Sequence, residues 1–168
     1  MKKLGVLLVA LFVGVFAANA AFAGNLVANG STVLPISQSA AEAFMAENRD
    51  VKISVSGGGS GNGIKALIDG TCDIANSSRF MKDSEVKLAV EKGVYPVPFA
   101  VAIDAIVPIV NPANKVANLT TSQLQDIYTG KTTNWKQVGG EDKPIVVVGR
   151  DTSSGTFEVW EEKILKKE

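Results

Sequence analysis

The chain of 168 residues contains no histidine. That absence excludes Ser-His-Asp and Cys-His nucleophilic catalysis and the common His-containing zinc sites. Cysteine is almost absent too: Cys72 stands alone in an apolar segment. A single thiol forms no internal disulfide, and in this setting it reads as buried and inert. Neither sign of charge prevails, with 17 Lys and Arg against 17 Asp and Glu. A formal net charge of zero offers no general attraction to nucleic acid or to anionic membrane. The N-terminal apolar run, Leu4 to Phe16, is too short for a membrane span and lacks a charged stop after it. Lys2 and Lys3 precede it, and Ala21-Phe22-Ala23 follows, which predicts a cleavable signal peptide over residues 1–23. Ala18-Asn19-Ala20 is a rival cut, and neither cut exposes a cysteine for lipid attachment.

Residues 24–168 alternate strand and helix signals. Leu26 to Ala28 reads as a short strand, followed by the turn Asn29-Gly30-Ser31-Thr32. A helix is predicted from Pro35 to Asn48, with Ile36, Ala40, Ala43, Phe44 and Glu47 on one face. Val51 to Ser56 alternates apolar and polar residues as a half-buried strand does. The glycine run Gly57 to Gly63 is the next turn, and Ile64 to Ile68 a short helix. Cys72 to Asn76 is a third strand, and Ser84 to Lys92 a helix. Val94 to Val110 is β-rich but broken by Pro96, Pro98 and Pro108, which suits a crossing between lobes. Thr121 is placed to cap a helix from Ser122 to Tyr128. Ile145 to Val148 reads as a buried strand, and a helix runs from Phe157 to the end. This order predicts an α/β fold with largely parallel sheets. The charged final helix, with no closing strand after it, predicts a fragment of a longer protein.

The turns carry the chemistry. Gly149-Arg150-Asp151-Thr152-Ser153-Ser154-Gly155-Thr156 joins a strand to a helix. First-turn N–H groups there lack helical partners, and the helix dipole favours an anion. Arg150 adds a planar fork for two oxygens. Ser31-Thr32, Ser60-Gly61 and Ser77-Ser78 repeat the theme at three other strand ends. Each has a plain reading as a cap, a flexible loop or strand-end polarity. Together they predict a donor-rich pocket outside the carboxyl ends of the strands, suited to a tetrahedral oxyanion. Nucleotide motifs fit poorly. In Gly58 to Lys65 the lysine does not follow the last glycine, and the strand after Gly61-Asn62-Gly63-Ile64-Lys65-Ala66 ends without the acid that holds a ribose.

Four segments are more specific in combination than singly. Asn29-Gly30-Ser31-Thr32-Val33-Leu34-Pro35, Gly58-Gly59-Ser60-Gly61, Asp73-Ile74-Ala75-Asn76-Ser77-Ser78-Arg79 and Gly149 to Thr156 come in the order and spacing of a known family. Across nearly all of residues 24–168 the chain resembles the periplasmic phosphate-binding proteins of high-affinity phosphate ABC transporters. The resemblance implies a two-lobed α/β clamp with mixed, mainly parallel sheets. Residues 24–98 would form lobe 1, and residues 99–168 an incomplete lobe 2. A later return of the chain, beyond this sequence, would complete lobe 1.

The resemblance also implies a role and a site. The role is capture of inorganic phosphate in the periplasm, by a monomer, for the membrane subunits of an ABC permease. Neither catalysis, cofactor, metal nor nucleic acid is implied. Thr32 would contribute a hydroxyl and Val33 a backbone N–H. Ser60 would contribute its hydroxyl and N–H, and Ser78 the last contact of the first lobe. Arg150, Ser154, Gly155 and Thr156 would form the other jaw. Two positions depart from the family pattern: Ser78 stands where some members carry aspartate, and Thr152 where an acid is frequent. Sulfate, molybdate and tungstate therefore remain alternative ligands. A phosphoryl-transfer or hydrolytic enzyme and a cell-surface signalling clamp are alternatives of other classes.

Overall fold

The computed structural model describes residues 24–31 and 34–166. The predicted signal segment 1–23, and Thr32 and Val33, lie outside the described residues. Three parallel strands form the sheet: β1 (Asn25–Gly30), β2 (Lys52–Gly57) and β3 (Ile74–Asn76), in the order β2-β1-β3. β1 runs beside β2 from Asn25 opposite Lys52 to Gly30 opposite Gly57, and beside β3 from Ala28 opposite Ile74. The main chain of Asp73 extends that second pairing by donating to the Val27 carbonyl at 2.9 Å, and its carboxylate accepts from the Val27 N–H at 2.8 Å. The α/β, parallel reading thus holds.

Helices α1 (Leu34–Glu47), α2 (Ser60–Ile68) and α3 (Asp83–Glu91) connect and follow these strands. α2 lies directly on β1. A Cβ at Gly63 would come within 2.5 Å of the Gly30 Cα, so glycine is what permits this approach. On its other side α2 buries Ile64 and Ile68 with Ala89 of α3, and Met81 and Val94 pack on that cluster. Cys72 is buried as expected, and burial pushes its thiol pKa up.

α1 presents a different face from the one its apolar pattern predicts. Ile36 and Phe44 are about half exposed, whereas Ala41 is buried and Ser37 and Met45 are half-buried. Ser37, Ala41 and Met45 lie four apart, and the first two are small enough to bring the helix close. The Met45 sulfur then accepts a hydrogen bond from the Ile53 N–H at 3.2 Å.

The second half of the chain contains α4 (Thr121–Tyr128), a 3-10 turn (Trp135–Val138), α5 (Gly155–Trp160) and a π-type turn (Glu161–Leu165). Thr120, not Thr121, caps α4: its hydroxyl accepts from the Gln123 N–H, while the Gln123 side chain accepts from the Thr120 N–H. The strand expected at 145–148 does not form, nor do strands within 94–110. Val146 and Val148 are each 81% exposed. A strand's N–H and C=O groups need a neighbouring strand, and among the described residues none lies beside these segments. Val97, Phe99, Val101 and Ile103 likewise stand in solvent.

Asp69, just after α2, holds two lysines: Lys65 and Lys92 each place a nitrogen 2.5 Å from its carboxylate. Hydrogen bonds from Lys65 and Lys92 lower its pKa from 3.8 to about 2. Because the folded value lies below the unfolded one, this stabilisation is complete above pH about 4 and is lost as pH falls toward 2. A carboxyl titration followed by NMR should place the Asp69 midpoint near 2. In the Lys65→Gln, Lys92→Gln double variant the midpoint should return close to the ordinary aspartate value of 3.8. An unmoved midpoint would refute the pairing.

Candidate functional site

The carboxyl ends of the three strands are drawn together by main-chain hydrogen bonds. The Gly30 carbonyl accepts from the N–H groups of Gly58 and Gly59, each at 2.8 Å, and the Ser31 N–H donates to the Asn76 carbonyl at 2.7 Å. Ser31, Ser60 and Ser78 therefore gather at one end of the sheet, where open α/β sheets bind ligands. The glycine run is structural here rather than flexible, because α2 begins at Ser60, inside it. Ser60 is fully buried. Its hydroxyl accepts from the Ser78 N–H at 3.1 Å and lies 3.2 Å from the Ser78 hydroxyl.

The Arg150-to-Thr156 turn docks onto this end. Gly61 N–H donates to the Ser153 carbonyl at 3.1 Å, and the Ser153 hydroxyl donates to the Gly58 carbonyl at 3.2 Å. Ser154, 2% exposed, caps α5 by accepting from the Phe157 N–H at 3.4 Å. Asp151 shapes the turn, accepting at its carboxylate from the Ser153 N–H and hydroxyl; the hydroxyl bond is the main cause holding its pKa below the usual carboxylate value. Gly155 then meets Ser60 and Ser78 so closely that a Cβ there would come within 2.5 Å of the Ser78 hydroxyl and nearer still to that of Ser60. Only glycine allows that contact.

An ion-pair network crosses the same junction. The Arg79 guanidinium forks onto Glu85, Nη1 to Oε2 at 2.8 Å and Nη2 to Oε1 at 2.9 Å. It also reaches Glu158 of α5, by Nε to Oε2 and by Nη2 to Oε1 at 3.4 Å. Lys82 adds a second cation 3.3 Å from Glu158. The Arg79 side chain is only 8% exposed, so water screens these charges weakly. The hydrogen bond from Arg79 keeps the Glu85 carboxyl pKa below its ordinary value, and Glu85 in turn raises that of Arg79. Glu85 also accepts from the Lys82 N–H and so holds the start of α3.

Beside the junction opens a cleft of about 290 Å³ whose walls include Ser78, Thr156, Asp104, Trp160 and Lys163. The indole N–H of Trp160, on the cleft wall, and the buried side-chain amide of Asn76 in β3 have no acceptor among the described residues. No group of three or more metal-ligating side chains occurs among the described residues.

The structure thus brings together Ser60, Ser78, Ser154 and Gly155, with Thr156 on the adjoining cleft wall. Thr32 and Val33 fall outside the described residues. Arg150 is exposed on the segment leading into the turn and does not line the cleft. Sequence reasoning missed Glu158, Glu85 and Asp104. Glu85 carried a signal, an acid three residues after Lys82 at a helix start. Glu158 carried none, because it meets Arg79 across 79 residues of chain.

Comparison with known proteins identifies the family. Residues 17–168 match the model of the PBP superfamily domain. The chain is 39% identical over 143 residues to Protein SphX of Synechococcus elongatus, covering 82% of this chain and 42% of that protein. It is 39% identical over 137 residues to the phosphate-binding protein PstS of Bacillus subtilis, covering 79% of this chain and 43% of the relative. Among solved structures, a putative phosphate ABC transporter substrate-binding protein of Clostridium perfringens, with bound phosphate, superposes with a TM-score of 0.74 at 39% identity, over 84% of this chain and 56% of that one. An ABC-type phosphate transport receptor of Vibrio cholerae gives 0.66 at 39% identity, over 82% and 54%. The chain spans less than half the length of the curated relatives described. It belongs to the PBP superfamily.

The Arg79 network makes its own prediction. Glu158→Gln removes one carboxylate from a pair that is mostly buried, and should lower stability by about 1–2 kcal/mol in denaturant unfolding. Faster amide exchange should concentrate at residues 153–160. Unchanged exchange there would mean that Arg79 does not hold α5 in place.

Proposed function

We propose that this PBP-superfamily chain captures inorganic phosphate outside the cytoplasm and delivers it to an ABC permease. The observation that carries this reading is the meeting of Ser60, Ser78, Ser154 and Gly155 at one point, where strand ends face the start of α5. Hydroxyls and main-chain N–H groups that converge suit the binding of an oxyanion. The bound phosphate in the Clostridium perfringens relative supports the choice of anion. The names of the SphX and PstS relatives support the transport setting.

In this reading residues 24–98 form one jaw and residues 99–168 part of the other. Thr32 and Val33 complete the first jaw beside Ser60 and Ser78. Ser154, Gly155 and Thr156 form the second, and Arg150 swings from its exposed position onto the anion. The chain acts as a monomer, without cofactor or catalysis, after removal of residues 1–23. Among the described residues no helix is long and apolar enough to cross a membrane. Affinity arises from charge-assisted hydrogen bonds in a cleft that excludes water as it closes.

Calorimetry on the full chain should show one phosphate site. Arg150→Ala should weaken it about a hundredfold, the loss of two charge-assisted hydrogen bonds. Affinity within about twofold of wild type would overturn the assignment of that jaw. Tighter binding of sulfate, molybdate or tungstate than of phosphate would move the reading to another tetrahedral anion.

A further inference from the structure

We propose that Glu158 sets how long phosphate stays bound, by tying the α5 jaw to Arg79 and Lys82 of the other jaw. This rests on the phosphate-capture reading above and assigns a positioning residue within it. Glu158 acts on the anion through the jaws rather than by contact. In a two-jaw cleft the anion leaves when the jaws part, so a contact made between the jaws slows its release.

The other ties across the junction join uncharged groups: the Gly61 N–H to the Ser153 carbonyl, and the Ser153 hydroxyl to the Gly58 carbonyl. Water replaces bonds of that kind at little net cost. The Glu158 contact is of another kind. It sets one carboxylate against two cations, the Arg79 guanidinium and the Lys82 ammonium. The Arg79 and Glu158 side chains are only 8% and 18% exposed, so their attraction is weakly screened. Arg79 and Lys82 lie just before α3, whereas Glu158 lies within α5, 79 residues beyond Arg79.

Glu85 prepares this contact from the Arg79 side. It accepts from Nη1 and Nη2 of Arg79 at 2.8 and 2.9 Å, which fixes the guanidinium with its Nε edge toward Glu158. Little side-chain freedom is then left to lose when the jaws meet. Glu158 is also close to the start of α2, since a Cβ at Gly61 would lie 3.7 Å from its Oε1. That position gives the test a clear sign. Removing a negative charge near an anion site favours the anion and speeds its approach. Removing a tie between the jaws leaves approach alone and speeds departure.

The test follows the release of radiolabelled inorganic phosphate into excess unlabelled phosphate, with calorimetry for affinity and circular dichroism for folding. Glu158→Gln in the full chain should release phosphate about tenfold faster and bind it about tenfold more weakly, with association changed by less than about twofold. Glu158→Asp, which keeps the charge, should recover part of the slow release. Lys82 is 60% exposed, so Lys82→Gln should fold normally, and it should speed release about two- to threefold. Asp69→Asn removes two ion pairs within residues 24–98, away from the junction, and should leave release unchanged. Wild-type release in Glu158→Gln, or in Lys82→Gln if Glu158→Gln does not fold, overturns the role of Glu158 while phosphate capture stands. Tighter phosphate binding by Glu158→Gln overturns it as well, and so does equal acceleration by Asp69→Asn, which would make release follow overall stability. A wild-type chain that binds no phosphate removes the function on which the inference rests.

Discussion

The closeness of Gly155 to the hydroxyls of Ser60 and Ser78 is the constraint on which the arrangement depends. It requires a residue without a Cβ at the start of α5, and two short hydroxyl side chains opposite it. It requires that the strand ends be held at one level, which the Gly30 carbonyl does by accepting from Gly58 and Gly59. It also requires a means of keeping α5 seated. The Ser153 hydrogen bonds and the contact of Arg79 with Glu158 provide that, one from each side of the junction. Polar contacts fit this task better than apolar burial would. They are directional, and water can replace them when the halves separate, so docking can be both specific and reversible.

Arg79 and Arg150 divide the cationic work in the proposed mechanism. Arg79 is next to Ser78 in sequence, and proximity alone would make it a candidate anion ligand. Its fork is already filled by Glu85 and Glu158, so its charge is spent within the protein. Arg150 is exposed and outside the cleft.

Much of this is legible in the residues alone. β1, β2 and β3 lie where short apolar or alternating runs end in serine-bearing turns, because strand periodicity and turn chemistry are local. The grouping of Ser60 and Ser78 followed from where parallel strands end. What was not legible depended on neighbours. Ile36 and Phe44 look like a buried face, yet α1 sits on β2 through Ser37, Ala41 and Met45. Ile145 to Val148 has strand composition, but composition does not supply the adjacent strand that pairing needs. The link from Arg79 to Glu158 had no sequence signal, since only folding sets their distance.

The most direct measurement is a phosphate titration of Gly155→Ala, read by calorimetry and paired with amide exchange across α2 and α5. If the α5 turn closes on Ser60 and Ser78 around the anion, the added methyl should hold the halves apart. Phosphate affinity should then fall by about two orders of magnitude, with exchange faster at residues 153–160 and unchanged in the sheet. Wild-type affinity in Gly155→Ala would contradict the account, because it would show that the anion does not need the contact on which everything else here is built.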